Sequence, residues 1–153
     1  MLMKSFYIAT GLEHAEEQKA LARELESLGF QQTYNWAAHG SVQAEGPERI
    51  KEVAIAEVDG VLDAELFIAL LPGARGTHTE LGIAIANARQ RQFRGHGGER
   101  TILIVGPTED AGGRTCCFYF HPQVDERFAT VGELLAWLKS WRRCNPLPTA
   151  RSA

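Results

Sequence analysis

Short apolar runs alternate with amphipathic segments along the chain, and this alternation predicts its secondary structure. Apolar runs of strand length, some weaker than others, predict strands over residues 6–10, 31–36, 66–71, 102–105 and 117–120. Between them, apolar residues recur at the spacing of one helix face, which predicts helices over residues 13–28, 47–62, from 77 onward and 131–141. Gly29 suits the end of the first helix, and Pro47 suits the start of the second.

This order of elements predicts an α/β fold, because parallel neighbouring strands need crossover connections. We expect a doubly wound, mostly parallel sheet of about five strands with helices on both faces, which is a three-layer sandwich of the Rossmann or flavodoxin-like type. The 153 residues suit a single domain, assigned to residues 1–144, with a frayed tail over 145–153. Two loops rich in glycine and charge, 94–99 and 106–114, are predicted to be exposed connections or parts of a lid.

Composition narrows the class of partner. The formal charge of −3 argues against nonspecific binding to a nucleic-acid polymer and favours a small-molecule partner. No apolar run is long enough to cross a membrane, and the first residues do not resemble a signal peptide. The three cysteines, Cys116, Cys117 and Cys144, suit neither a disulfide framework nor a zinc site, so we expect a reducing, cytoplasmic setting. The first two are interpreted as packing residues of a strand.

Residues 70–82, LLPGARGTHTELG, hold the densest candidate chemistry. Glu80 follows a buried strand and a glycine turn, so it is expected in the first turn of a helix at the carboxyl edge of the sheet, where α/β proteins bind ligands. Gly73 and Gly76 would let the backbone approach a sugar or phosphate closely. Thr77-x-x-Glu80 is also a capping box, so an alternative is that Glu80 only satisfies backbone donors at the helix start.

Two other polar residues lie where apolar side chains are expected. Glu57 falls on the predicted apolar stripe of the second helix, which consists of Ile50, Val53, Ala54, Val58 and Val61. Burial would keep its carboxyl protonated, as a proton donor requires, although a glutamate at a helix edge can also reach solvent or pair with a basic neighbour. Tyr7 in the first strand either points its hydroxyl into the ligand crevice or is a core aromatic.

With these residues in place, the chain resembles the nucleoside 2-deoxyribosyltransferase-like family, which includes the 2'-deoxynucleoside 5'-monophosphate N-hydrolases and the CMP N-glycosidases. Three segments carry the resemblance: FYIA at residues 6–9, EVDGVLDAELF at 57–67 and RGTHTELG at 75–82. The third is similar to the G-T-x-x-E-x-G signature that carries the family's nucleophilic glutamate.

The resemblance implies an enzyme of nucleotide metabolism that cleaves or transfers at an N-glycosidic bond. Glu80 would be the nucleophile, Tyr7 would belong to the catalytic set, and Glu57 or Asp59 would protonate the departing base. We expect neither a cofactor nor a metal ion. The family also implies a homodimer or higher homo-oligomer. Further candidates for contact with the ligand are Gly11, Trp36, His39, Gly73, Arg75, Gly76, Thr77, His78 and His121.

Departures from the family pattern leave parts of this interpretation open. Glu57 and Glu65 stand where the family usually has aspartate, and Arg75 and His78 stand in the turn where the monophosphate hydrolases have phosphate-binding serines. The base, the sugar, the need for a 5'-phosphate, and the choice between hydrolysis and transfer stay open. Trp36 has core packing as its alternative, and most exposed histidines bind nothing specific.

A second resemblance points to the same bond. PGARGTHTE at residues 72–80 is similar to the P-G-G-x-G-T-x-x-E motif of the cytokinin-activating phosphoribohydrolases, with Ala74 in place of a glycine. Two classes of alternative function are a nucleotide sensor without turnover and a purely structural α/β subunit.

Overall fold

The computed structural model describes residues 3–94 and 100–146, and it contains the doubly wound parallel sheet that the sequence predicts. The five strands are parallel and lie in the order β2-β1-β3-β4-β5, with bounds β1 Ser5–Ala9, β2 Gln31–Gln32, β3 Leu66–Leu70, β4 Thr101–Val105 and β5 Glu126–Phe128. The helices are α1 Ala15–Ser27, α2 Pro47–Asp63, α3 Arg75–Arg94 and α4 Val131–Cys144. The chain winds away from β1 in one direction and from β3 in the other, so a crevice forms where these two strands end.

The strand residues alternate between two hydrophobic cores, one on each face of the sheet. Tyr7, Ala9, Phe67 and Ala69 face a core that α2 and α3 complete with Val61, Leu81, Ala84 and Ile85. Phe6, Ile8, Leu66 and Ile68 face the other core, which α1 and α4 complete with Leu21, Leu25, Leu134 and Leu138. Because the central strands are covered on both faces, their sequences are apolar throughout. The three-layer prediction is therefore confirmed.

The predicted strand over residues 117–120 is wrong. Cys117–Phe120 forms a 3-10 helix in which only Tyr119 is buried, while Phe118 and Phe120 are 46% and 54% exposed. The fifth strand is Glu126–Phe128, which pairs with β4 alone. An edge strand with two exposed charged residues carries no apolar pattern, so the more apolar neighbouring segment has the stronger strand signal. Cys116 and Cys117 consequently do not alternate across a strand.

The second strand is shorter than predicted and ends at Gln32. The Thr33 hydroxyl donates to the Gly60 carbonyl oxygen at 2.7 Å, and the Trp36 indole N–H donates to the Ile8 carbonyl oxygen at 2.9 Å. These bonds draw residues 33–38 away from the sheet edge and over the end of β1. The remaining predicted helices and strands match the structure within a few residues, and α3 begins at Arg75 rather than at Thr77.

Two predictions, the loop over 94–99 and the frayed tail over 145–153, fall largely outside the residues that the structure describes. Residues 106–114, predicted as an exposed loop, include a turn in which Asp110 accepts hydrogen bonds from the backbone N–H groups of Gly112 and Arg114. Within residues 3–94 and 100–146, no helix combines the length and the apolar character that crossing a membrane requires.

Candidate active site

A cavity of about 550 Å³ lies at the carboxyl ends of β1 and β3, where the sheet topology predicts a ligand crevice. Its boundaries are the turn after β1, the segment 36–43, one side of α2 and the first turn of α3. The side chains or backbone that line it belong to Thr10, Gly11, Leu12, Trp36, His39, Gly40, Ser41, Val42, Gln43, Ile50, Val53, Ala54, Glu57, Ala74, Arg75, Gly76 and Glu80.

Glu80 forms the most deeply buried carboxyl of this cavity. It lies in the second turn of α3, is 9% exposed, and accepts a hydrogen bond from the Tyr7 hydroxyl through Oε1. Burial raises the pKa of Glu80 to about 8. The hydrogen bond from Tyr7 lowers this pKa and the nearby Glu57 carboxylate raises it, so the ionisation of Glu80 depends on both neighbours.

Tyr7 is held rigidly beneath Glu80. Its ring is buried in the core of α2 and α3 and stacks on Phe67 with the ring centroids 6.1 Å apart. A Cβ atom at Gly60 would lie 3.1 Å from the Tyr7 ring, so a glycine there lets α2 pass close to this side chain. Burial and the Glu80 carboxylate both raise the pKa of Tyr7, which keeps the phenol protonated and able to donate. The Tyr7 ring is therefore core, as one alternative expects, and its hydroxyl reaches Glu80 without Tyr7 itself lining the cavity.

The capping alternative for Glu80 does not hold. Since α3 begins at Arg75, Thr77 lies inside the helix rather than at its cap. The Thr77 hydroxyl accepts a hydrogen bond from the Ala74 backbone N–H at 3.1 Å, which closes the turn ahead of the helix. Glu80 is bonded to Tyr7 instead and faces the cavity.

Glu57 provides a second carboxyl to the same cavity. It lies on α2, is partly buried, and faces inward as its position on the apolar stripe predicts. Burial raises the pKa of Glu57, while the His39 side chain opposes this by favouring the charged form. The influence of Glu57 on the pKa of Glu80 couples the two carboxyls electrostatically.

The structure brings some of the other sequence candidates together and separates the rest. Those that line the cavity with the two carboxyls are Gly11, Trp36, His39, Arg75 and Gly76. Those that lie outside its lining are Asp59, Gly73, Thr77, His78 and His121. Asp59 is exposed on another side of α2, and His121 Nδ1 accepts from the Gln123 backbone N–H.

His78 lies behind the glycine turn rather than in the cavity. Its Nδ1 lies 2.8 Å from the Ala74 carbonyl oxygen and its Nε2 lies 2.6 Å from the Tyr119 hydroxyl. Gly73 lies on the same side, where a Cβ atom would be 2.7 Å from the Thr77 side chain. These contacts support the turn that carries the cavity wall at Ala74, Arg75 and Gly76.

Several cavity residues were not identified from the sequence. Leu12 and Ile50 are 50% and 43% exposed, and their apolar side chains flank the cavity. Ile50 is predicted only as a member of a core-facing stripe, and it serves the cavity instead. Thr10 is buried, with a hydroxyl that has no partner among the described residues. Residues 40–43 carry no periodic pattern, so no sequence signal indicates their position.

The fold is similar to that of a solved N-glycosidase. The structure of CMP N-glycosidase BcmB from Clostridium botulinum matches with a TM-score of 0.56 and 19% sequence identity, over 90% of this chain and 99% of that chain. No protein-family model and no curated protein sequence matches the chain. The resemblance to the nucleoside 2-deoxyribosyltransferase-like family is thus supported by a likeness of fold, which spans nearly all of both proteins.

Proposed function

We propose that this protein is an enzyme of the nucleoside 2-deoxyribosyltransferase-like family that breaks the N-glycosidic bond of a nucleoside or nucleoside 5'-monophosphate, with Glu80 as the nucleophile. The observation that carries this proposal is the buried Glu80 carboxyl, which accepts a hydrogen bond from the Tyr7 hydroxyl and lines a cavity that Glu57 also lines. The similarity of fold to a CMP N-glycosidase supports the same class of reaction.

The proposed reaction uses each group in a defined role. A Glu80 carboxylate oxygen bonds to the anomeric carbon as the bond from that carbon to the base nitrogen breaks, and Glu57 gives its proton to the departing base. Water then attacks the anomeric carbon and gives a proton to the Glu57 carboxylate as the bond from that carbon to Glu80 breaks, which releases the sugar and restores both carboxyls to their starting states. If a second base attacks in place of water, the same intermediate leads to transfer.

The protonation states set a condition on this mechanism. Glu80 must be ionised and Glu57 protonated, so the active form holds one proton on the carboxyl pair. The Tyr7 hydroxyl favours ionised Glu80 by donating to it. Burial favours a protonated Glu57. Both effects favour the arrangement that the reaction needs, whereas the burial of Glu80 opposes it by raising the pKa of this carboxyl to about 8.

A 5'-phosphate is compatible with one end of the cavity. Arg75 begins α3 at the cavity wall, and a Cβ atom at Gly76 would meet nothing within 4 Å. The backbone N–H groups in the first turn of a helix point out beyond its N-terminus, so they favour the binding of an anion there. We therefore include nucleoside 5'-monophosphates in the proposed substrate class, with Arg75 as the phosphate contact in place of serines.

Two further parts of the proposal concern the protein's setting. We infer a homodimer or higher homo-oligomer in the cytoplasm, and the assembly is supported by Phe118 and Phe120, which leave large apolar surface exposed on the 3-10 helix. Light scattering coupled to size-exclusion chromatography tests the assembly directly. A monomer at micromolar concentration would contradict this part while leaving the chemistry untouched.

A nucleotide sensor is the second candidate function. The raised pKa of Glu80, about 8, leaves its carboxyl protonated at neutral pH before a ligand binds, which favours binding over nucleophilic attack. A substrate that displaces this proton would restore the nucleophile, whereas a sensor ligand would leave it in place.

The test is chromatography of free base after the protein is incubated with ribo- and deoxyribonucleosides and their 5'-monophosphates, with and without an acceptor base. Base release without acceptor indicates hydrolysis, and exchange that needs the acceptor indicates transfer. Thermal stabilisation by a ligand without any base release would replace the enzyme by the sensor. If no compound is cleaved or stabilises the protein, both candidates are wrong.

A further inference from the structure

His39 lies on the cavity wall with both of its ring nitrogens already engaged within the protein. Its Nδ1 lies 2.8 Å from the Gly40 carbonyl oxygen, and its Nε2 lies 2.8 Å from the Tyr34 hydroxyl. A carbonyl oxygen only accepts, so Nδ1 carries a hydrogen. In the neutral ring Nε2 accepts from the tyrosine, and in the charged ring it donates to the same oxygen. The two contacts therefore persist in either state.

The neighbouring aromatic residue of the wall is arranged in the same way. The Trp36 indole N–H donates to the Ile8 carbonyl oxygen at 2.9 Å, so its single polar hydrogen is also used inside the protein. Val42, Ile50, Val53 and Ala54 add aliphatic side chains to the lining, in which Ser41 and Gln43 are polar neighbours of Val42. We call the set formed by Trp36, His39, Val42, Ile50, Val53 and Ala54 the apolar wall.

Tyr34 holds this arrangement without lining the cavity itself. Its Cβ packs against α2, since a Cβ atom at Gly60 would lie 2.6 Å from it, and its ring lies 5.9 Å from that of His39. The adjacent Thr33 hydroxyl donates to the Gly60 carbonyl oxygen. Both contacts are made at Gly60, so they hold this segment against α2, from which the Tyr34 hydroxyl reaches His39.

We infer that Tyr34 is a positioning residue which, with the Gly40 carbonyl, keeps His39 as a flat face for a planar ring of the ligand and prevents it from acting as a phosphate ligand or proton carrier. This inference deepens the proposed function, on which it rests, by assigning the base of the substrate to the apolar wall. Glu57, on the same helix as Ile50 and Val53, then meets the edge of that base. An anionic part of the ligand, such as a 5'-phosphate, would bind at Arg75 rather than at His39.

The inference is tested by replacing the imidazole with a ring that has no polar atom. Binding of the eight common ribo- and deoxyribonucleoside 5'-monophosphates is titrated calorimetrically against the Glu80→Gln variant, which prevents turnover, and the tightest ligand is taken forward. We expect added His39→Phe to keep affinity within about threefold, and His39→Ala to lower it on the order of tenfold, because a stacking face is lost. His39→Leu keeps apolar volume without a flat face, so it should lower affinity by a similar factor. It replaces His39→Ala in the comparison if the alanine variant folds poorly.

Tyr34→Phe separates positioning from a general effect on structure. With His39 present, we expect this change to lower affinity about threefold, since the freed ring can turn away. With His39→Phe already present, the same change should have no further effect, because the tyrosine hydroxyl acts only through Nε2. His14→Ala is the matched control, since His14 pairs with Glu17 on α1 outside the cavity lining.

Each outcome bears on one of the two proposals. If His39→Phe weakens binding as much as His39→Ala, the ring nitrogens bind the ligand and the inference is wrong. It is also wrong if no His39 variant alters the affinity. If no nucleotide or nucleoside binds either the Glu80→Gln variant or the unmodified protein, the proposed function fails and this inference fails with it.

Discussion

Glu80 and Glu57 are the same residue type in the same cavity, yet the fold treats them differently. Glu80 is 9% exposed, lies beside the end of β1 and is bonded to the buried Tyr7. Glu57 is only partly buried and lies on α2, and its side chain forms no hydrogen bond within the described part of the chain. One carboxyl is therefore fixed in place by the sheet, whereas the other can follow a ligand from the surface of a helix.

This difference assigns the two chemical roles. A nucleophile must meet a single carbon atom, so a rigid carboxyl with a fixed hydrogen bond suits it. A proton donor can reach its acceptor over a range of geometries, so a carboxyl with a raised pKa and a free side chain is sufficient. The raised pKa of each carboxyl has the same first cause, which is burial. The positions of Glu80 and Glu57 in the fold, rather than the cause of their raised pKa values, therefore distinguish their two roles.

The largest effect on activity is expected from replacing Glu80, the fixed carboxyl. Glu80→Gln removes the attacking oxygen while keeping the size of the side chain, so we expect base release to fall about a thousandfold or more. Chromatography of free base across the nucleoside and nucleotide panel measures this. Ligand binding by calorimetry should survive, and base release that persists unchanged would rule out Glu80 as the nucleophile.

Glu57, the carboxyl that is not held by a hydrogen bond, should contribute less to catalysis than Glu80. We expect Glu57→Gln to lower kcat about a hundredfold, because general acid catalysis contributes at this scale, and to leave KM nearly unchanged. Glu52→Gln is the matched control, because Glu52 pairs with Arg49 on the exposed side of α2. Equal losses from Glu57→Gln and Glu80→Gln would remove the distinction between the two roles.

Tyr7→Phe should change how the fixed carboxyl responds to pH. The Tyr7 hydrogen bond lowers the pKa of Glu80, so its loss raises this pKa further and leaves less carboxylate at neutral pH. We expect activity at pH 7 to fall on the order of tenfold, with the acidic limb of the pH–rate profile displaced to higher pH. Tyr119→Phe, whose hydroxyl contacts His78, should not displace that limb. A limb that stays in place in Tyr7→Phe would contradict the proposed control of Glu80.

The smallest effect concerns stability rather than activity. The folded protein holds the Glu80 proton up to a pKa of about 8, whereas the unfolded chain releases it near 4.5. The folded state therefore binds more protons between these values, and the free energy of unfolding falls as pH rises from about 4.5 to 8. Since glutamine imitates the protonated carboxyl, we expect Glu80→Gln to raise Tm by several degrees at pH 8 and by almost nothing at pH 4.5. Scanning calorimetry at both pH values checks this, and an equal shift at each would exclude the titration of Glu80 as its cause.

The parts of this site that the sequence predicts are those with a local pattern. The strand before Glu80 is buried on both faces and therefore apolar throughout, and the glycine turn and helix after it have their own spacing. Glu57 is detectable because a charged residue interrupts a helical stripe. Local spacing therefore marks both carboxyls as candidates, while it leaves open the capping alternative for Glu80 and the solvent-facing alternative for Glu57.

The parts that the sequence does not predict depend on contacts between distant segments. The bond between Tyr34 and His39 exists because residues 33–38 leave the sheet, and that departure depends on carbonyl groups of β1 and α2. The edge strand β5 is stabilised by one neighbour only and has no apolar alternation. No local pattern reports either feature, and the aromatic segment at Cys117–Phe120 is more strand-like than the true strand.

The position of Trp36 has a spectroscopic consequence. The chain has three tryptophans, and the other two, Trp137 and Trp141, lie on α4 against the opposite face of the sheet. Of the three, Trp36 is the one that lines the cavity. With Trp137 and Trp141 replaced by phenylalanine, the emission of this single indole would report the filling of the cavity directly. Occupancy would then be observable in real time, with no label and no turnover.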